Sequence, residues 1–231
     1  MNAGPEAPGS FFGRRKGKAL RAGQAERIAQ SLPGLRVPVS AGSAPLDPRS
    51  LFANSPGEVW LESGFGGGEH LAHLARSRPD VGFIGVEPFV NGVAKLLGVI
   101  ADERLPNIRI WDEDATLLLP TLAPGSIGRV YLLYPDPWPK RRQRKRRFFS
   151  DENLAALARV MRRSAELRFA TDIDDYAGWA LARVFRSAEF VWDAEAPDEW
   201  RRPWSGWPST RYEQKARREG RGSAYLTFRR V

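Results

Sequence analysis

From Glu58 onward, short apolar runs alternate with stretches of helical period. Glu58–Glu62 (EVWLE) predicts a strand, then a glycine-rich turn, then a helix from about Glu69 to Ser77. Val81–Glu87 predicts a second strand and Val90–Asp102 a helix; Asn107–Trp111 predicts a third, with a short helix after Asp114. Arg129–Tyr134 (RVYLLY) is nearly all apolar, the pattern of a strand buried on both faces. Beyond a basic run, Asp151–Arg163 predicts an amphipathic helix with Asp151 as its cap. A strand over Leu167–Ala170, a helix over Asp174–Ser187, and strands over Phe190–Trp192 and Ala224–Arg229 follow. This alternation predicts an α/β fold, a doubly wound, seven-stranded, mostly parallel sheet. Ligands on such sheets sit at the carboxyl ends of the strands.

The first 50 residues lack firm periodicity and are rich in Gly, Pro, Ala and Arg. They predict a flexible basic N-terminal arm over residues 1–50, loose at least to Gly9, ahead of one domain over residues 51–231. The 231-residue chain contains no cysteine, which removes disulfides, thiol nucleophiles and zinc ribbons. His70 and His73 are its two histidines, three apart on one helix face; without a third ligand no metal site is expected. No apolar run reaches membrane-spanning length, and no signal-peptide core is present, so a cytoplasmic protein is expected. The net charge is +9, and seven positive charges fall within the eight residues Lys140–Arg147. A lesser cluster lies at Arg14, Arg15, Lys16 and Lys18. A basic protein of this kind meets nucleic acid or an anionic surface.

The first predicted strand runs into Glu62-Ser63-Gly64-Phe65-Gly66-Gly67-Gly68-Glu69. The dinucleotide fingerprint G-x-G-x-x-G fails here, because its third glycine would fall on Glu69. A pyrophosphate favours a helix N-terminus free of carboxylates, and Glu62 and Glu69 flank this loop. A cationic cofactor suits it better. S-adenosylmethionine carries a sulfonium and an ammonium and has no phosphate. Glu87, at the end of the second strand, is placed to accept both ribose hydroxyls. Asp112, Glu113 and Asp114 follow the third, where a carboxylate can accept from an adenine amino group. Taken singly, Glu69 is equally a first-turn helix charge and Glu87 a strand end. Three successive strands ending in acids favour the S-adenosylmethionine site over an NAD site.

The fourth strand enters Tyr134-Pro135-Asp136-Pro137-Trp138-Pro139-Lys140. Its prolines restrict the backbone and hold Asp136 and Trp138 at the strand end. Asp136 then faces the cofactor and an incoming base, and Trp138 is suited to stacking on a base, although in isolation a buried aromatic is the commoner role. The cations after it read as phosphate contacts, a solvated face being the plainer alternative.

From Glu62 to the C-terminus, roughly 170 residues, the sequence resembles the bacterial tRNA (guanine-N7-)-methyltransferases. Glu62–His70 (ESGFGGGEH), Gly85–Val93, Asp114-Ala115, Pro135–Arg147 (PDPWPKRRQRKRR), Ala170–Ala177 (ATDIDDYA) and Thr210–Lys215 (TRYEQK) match in order. The resemblance implies a Rossmann-like, S-adenosylmethionine-dependent fold and a guanine of the tRNA variable loop as target. It implies cofactor contacts from Glu62, Glu87, Asp114 and Asp136, with Asp136 also catalytic. It assigns substrate binding to Lys140, Asp172, Thr210, Arg211, Tyr212 and Glu213, and places Arg142, Arg144, Lys145, Arg146 and Arg147 on the RNA backbone. No obligatory partner subunit is implied, so a monomer or homodimer is expected. Ser63, Gln143-Arg144 and Ala216 depart from the family pattern; the last bears on the bend of the C-terminal loop.

Guanine N7 has an in-plane lone pair and needs no deprotonation, so no strong general base is required. Competing readings are a non-catalytic RNA-binding module, a DNA amino-methyltransferase with a related Asp-Pro turn, and an NAD oxidoreductase. The Trp200–Trp207 segment (WRRPWSGW) is either an RNA-facing lid or a wrap over the C-terminal strand.

Overall fold

The computed structural model describes residues 12–39, 44–192 and 194–231. Seven strands form one sheet in the order β3-β2-β1-β4-β5-β7-β6. They are β1 (Glu58–Ser63), β2 (Val81–Val86), β3 (Ile108–Trp111), β4 (Ile127–Leu133), β5 (Met161–Thr171), β6 (Phe190–Val191) and β7 (Ala224–Arg230). The first five are mutually parallel, and β7 is antiparallel to both of its neighbours. Each of the seven overlaps a strand the pattern predicts, but β5 begins at Met161, well ahead of the expected Leu167.

Alternate residues supply opposite cores, as the two-residue strand period requires. Val59, Leu61, Ile84, Val86, Val130, Leu132 and Phe228 join one buried cluster. Trp60, Phe83, Tyr131, Leu133 and Tyr225 join the other. The helices α2 (Glu69–Ser77) and α3 (Val90–Glu103) cover the second face, together with α1 (Ala22–Leu35). The first is covered by α4 (Ala115–Leu118), α5 (Asp151–Val160) and α6 (Asp174–Val184).

Two expectations are corrected. Residues 22–39 are not a loose arm. Leu32 is buried, Ile28 and Leu35 pack on the α2–α3 cluster, and Val37 N–H donates to Ile110 at the sheet edge, 2.9 Å away. Pro33 and the flanking glycines hide this helix, since both residue types lower helix propensity. The looseness expected up to Gly9 falls outside the described residues. The helix expected over Asp151–Arg163 ends at Val160, and the following residues already belong to β5. Its cap is Ser150, whose side chain accepts from Asn153 N–H at 3.2 Å, and Asp151 is the first helical residue.

Register aligns the chemistry. Glu62 pairs with Gly85 and Tyr131, and Val86 with Trp111. The ends of β1, β2, β3 and β4 therefore open on the same edge of the sheet.

Candidate active site at the carboxyl edge of the sheet

A cleft of about 680 Å³ opens there, lined by Gly64, Gly66, Glu87, Asp114, Asp136 and Trp138, among others. That volume falls within the ~300–1,000 Å³ of small-molecule sites. Its floor is the glycine turn, in which Gly64, Gly66 and Gly68 take φ of +77°, +58° and +79°. A Cβ on Gly92 would stand 2.1 Å from the Gly66 carbonyl oxygen, so glycine at 92 is what lets α3 lie against the turn. A Cβ on Gly64 would meet nothing within 4 Å, which leaves the space above the turn open to a ligand.

Glu87 fixes the turn. One carboxylate oxygen accepts from Gly66 N–H at 2.7 Å and the other from Phe89 N–H at 2.9 Å. Burial pushes its carboxyl above the usual carboxylate range, against those two hydrogen bonds, and the charge of Asp136 adds to the rise. Each oxygen keeps a second lone pair for a diol. Asp114 caps α4, accepting from Thr116 N–H at 2.8 Å and from the Thr116 hydroxyl at 2.9 Å. Asp136 stands at the mouth, within reach of solvent, and the surrounding protein raises its carboxyl by desolvation. Tyr134 and Trp138 take φ of +48° and +41°, unusual for residues with side chains. The proline turn is therefore held in a costly conformation that aims Asp136 into the cleft.

Glu62 does not line this cleft. It borders an adjoining recess of about 20 Å³ with Gly64, His70, Thr210 and Arg211. Its Oε2 lies 2.7 Å from His70 Nδ1, with both side chains buried. His73 Nε2 meets the Gly206 carbonyl at 2.9 Å.

The TRYEQK block is a helix, α8 (Arg211–Arg218), capped by Thr210, whose hydroxyl accepts from Glu213 N–H at 3.2 Å. Arg211 and Tyr212 line both cavities, and the Tyr212 ring stacks on Tyr134 at 6.4 Å and 18°. Glu213 is corrected. It is fully buried and accepts from Trp207 Nε1 and the Tyr225 hydroxyl, each at 2.7 Å. Burial alone would raise its carboxyl, but these bonds and the Arg217 charge bring it below the usual range. Through these bonds it anchors α8, and it lines neither cavity. Asp172 pairs with Arg221 at 2.8 Å and is not on the cleft wall.

The basic run is also divided. Lys140, Arg141, Arg142 and Lys145 are exposed, and Arg144 pairs with Asp175 at 2.7 Å. Arg147 is corrected. Its side chain is wholly buried beside the Tyr176 and Trp179 rings and donates to the Pro137 carbonyl at 2.8 Å and to Asp175. It carries no surface for RNA. Phe149, two residues on and buried, is the sequence signal for this inward turn.

Of the two roles open to the tryptophan segment, the structure supports the wrap. A helical turn, α7 (Asp198–Arg201), leads into it. Trp204 Nε1 donates to Thr227 on β7 at 2.8 Å, and Trp204 and Trp207 both pack on Tyr225. Sequence reasoning missed Phe12, Gly13 and Arg14, which reach the cleft from the arm, and Glu152 and Asn153 at the start of α5.

The strand order, the glycine turn and the acids at the ends of β2, β3 and β4 define a Rossmann-like methyltransferase. A family described as "Putative methyltransferase" matches residues 56–226. The chain is 52% identical to a tRNA (guanine-N(7)-)-methyltransferase of Agrobacterium fabrum, over 95% of this chain and 94% of that one. It is likewise 52% identical to the enzyme of that name from Rhizobium meliloti, over 99% and 98%. The chain belongs to the tRNA (guanine-N7-)-methyltransferase family. Among solved structures, an antibiotic-related methyltransferase superposes with a TM-score of 0.59 at 14% identity, covering 87% of this chain and 98% of that one. A 16S rRNA methyltransferase gives 0.53 at 18% identity, covering 76% and 88%. These two bear on the fold alone.

Proposed function

We propose that this enzyme transfers the methyl group of S-adenosylmethionine to N7 of a guanine in the variable loop of tRNA. The observation that carries the reading is the convergence of Glu87, Asp114 and Asp136 on one cleft, beside a turn of exposed cations. The donor set fits the cofactor: carboxylates for a diol and for cationic groups, and open space above Gly64. When bound, S-adenosylmethionine supplies an electrophilic methyl on a positive sulfur. Glu87 and Asp114 hold the nucleoside end, and Glu62 contributes from the adjoining recess. Asp136 orients the guanine edge and opposes the positive charge that develops on the base. Alignment of this kind can supply ~7–11 kcal/mol of the barrier.

Lys140, Arg142 and Lys145 contact the RNA backbone, while Arg144 and Arg146 add charge at the mouth. Arg211 and Tyr212 contact the substrate from α8, with Thr210 setting their helix. Residues 51–231 carry the sheet and its acids, and the N-terminal segment adds Phe12, Gly13 and Arg14 to the cleft wall. Among the described residues no helix is long and apolar enough to cross a membrane; a tRNA substrate supports a cytoplasmic site of action.

Incubation with methyl-labelled S-adenosylmethionine and an unmodified tRNA transcript, followed by borohydride and aniline, tests the reading. Label with a single chain cut in the variable loop is the expected result. Label without a cut moves the target atom, and bound cofactor without label moves the substrate.

A further inference from the structure

Phe12 of the arm and Trp138 of the proline turn present their rings to a single guanidinium. The Cζ of Arg146 lies 4.7 Å from the Phe12 ring centroid and 5.1 Å from that of Trp138. All three residues line the cleft that holds Asp136 and Glu87. The position of Phe12 is set close by. Val90 N–H donates to the Arg15 carbonyl at 3.0 Å, and Asn91 bonds both Gly17 N–H and the Lys18 carbonyl at 2.8 Å. Trp138 is set by its strained backbone between two prolines. Arg146 itself is poorly satisfied: its Nε is buried and has no hydrogen-bond partner among the described residues. A cation over aromatic faces is favourable, whereas a buried unpaired N–H is costly. An occupant of that sort gives way to a better one.

Methyl transfer creates such an occupant. The N7 lone pair forms the bond to the methyl carbon, the carbon–sulfur bond breaks with its electrons going to sulfur, and the positive charge passes to the purine. No proton moves. The methylated base is a planar cation, as the guanidinium is.

We propose that Phe12 and Trp138 form the stacking site for the target purine, and that Arg146 holds this site in the free enzyme and yields it to the base. This rests on the tRNA reading above. The displaced guanidinium then reaches the RNA phosphates, which satisfies the Nε left unpaired inside the protein. Phe12 and Trp138 stabilise the charge as it develops on the purine, so the site favours the methylated base over the unmodified one.

The test uses the full chain with guanosine and N7-methylguanosine, which carry no phosphate, and with tRNA. Wild type should bind N7-methylguanosine several-fold more tightly than guanosine. Phe12→Leu should lower nucleoside affinity and kcat/KM for tRNA roughly tenfold, and Phe12→Tyr should restore both. Arg146→Ala should tighten nucleoside binding while weakening tRNA binding, a pairing that mere structural damage does not produce. Trp138→Leu repeats the Phe12 test, with thermal melting as its folding control. Phe12 lies outside the two cores, so its variant decides the matter if the Trp138 variant melts early. Wild-type kcat/KM in Phe12→Leu, or Arg146→Ala weakening nucleosides and tRNA alike, overturns the stacking site. A wild-type enzyme that fails to methylate N7 of tRNA overturns the functional reading instead.

Discussion

Arg147 and Asp175 form an ion pair whose arginine half lies wholly inside the protein while the aspartate is half exposed. The arginine hydrogen bond holds the Asp175 carboxyl below the usual carboxylate range. That contribution to stability is present above the ordinary aspartate pKa and is lost as the pH falls through the lowered value. Asp175→Ala leaves the buried guanidinium short of an acceptor, at a cost of about 1–3 kcal/mol. Chemical denaturation should show the loss; Arg147→Ala should likewise destabilise the fold, and in that variant the salt slope of tRNA binding should not change. A flattened slope with wild-type stability would return Arg147 to the RNA surface.

The exposed members of the run behave in the opposite way. Each backbone phosphate neutralised contributes about 0.7–0.9 to the slope of log K against log salt. Lys140→Ala and Arg142→Ala should each flatten the slope by roughly that amount, with the melting temperature within a degree or so of wild type, because exposed side chains contribute little to stability. Filter binding across a salt series reads both. Unaltered slopes in both variants would remove this turn from the RNA path.

Glu62 carries a different dependence. It accepts from His70 Nδ1 at 2.7 Å, and the His70 ring packs between Tyr131 and Trp207 at 4.8 and 4.9 Å. His70 thereby fixes which way the carboxylate faces. His70→Ala should raise KM for S-adenosylmethionine several-fold and leave tRNA affinity in place, and His70→Asn, which can offer an N–H near the same point, should recover part of the loss. Titration calorimetry with the cofactor, beside filter binding of tRNA, separates the effects. Equal losses in both would mean that the pair only supports packing.

The layers of this molecule were not equally legible. Strands with apolar residues at every position, such as Val81–Val86 and Val130–Leu133, announce burial on both faces and place the sheet directly. The acids after β2, β3 and β4 follow from that placement. Side-chain destination was harder to read. Arg147 sits among six other cations in sequence, yet it turns inward to partners that are mostly distant in sequence, Asp175, Tyr176 and Trp179, with its neighbour Phe149 as the local signal. Glu213 lies in a polar helix, and Tyr225 and Trp207, its partners, come from β7 and a loop. The start of β5 was hidden because Arg162, Arg163 and Ser164 are exposed and read as the polar side of a helix. The same limitation concealed Phe12, whose place at the cleft depends on Asn91 and Arg146.

Asp136 couples activity and stability in opposite senses. Desolvation raises its carboxyl above the ordinary aspartate value. Between that ordinary value and the raised one, the folded protein binds more protons than the unfolded chain. Stability therefore falls as the pH rises through this window, and the penalty persists at neutral pH. Activity runs the other way, since an ionised Asp136 is needed beside the developing charge. The acid limb of kcat should lie above the ordinary aspartate range. Asp136→Asn should cut turnover by at least two orders of magnitude, a size typical of removing one group that stabilises transition-state charge, with tRNA affinity nearly intact. The same substitution should raise the melting temperature at neutral pH, and the gain should shrink as the pH is lowered below the ordinary value. Single-turnover rates and melting curves collected over one pH series read both trends. A variant with wild-type turnover, or one that melts lower at neutral pH, would show that Asp136 serves the fold and not the transferred charge.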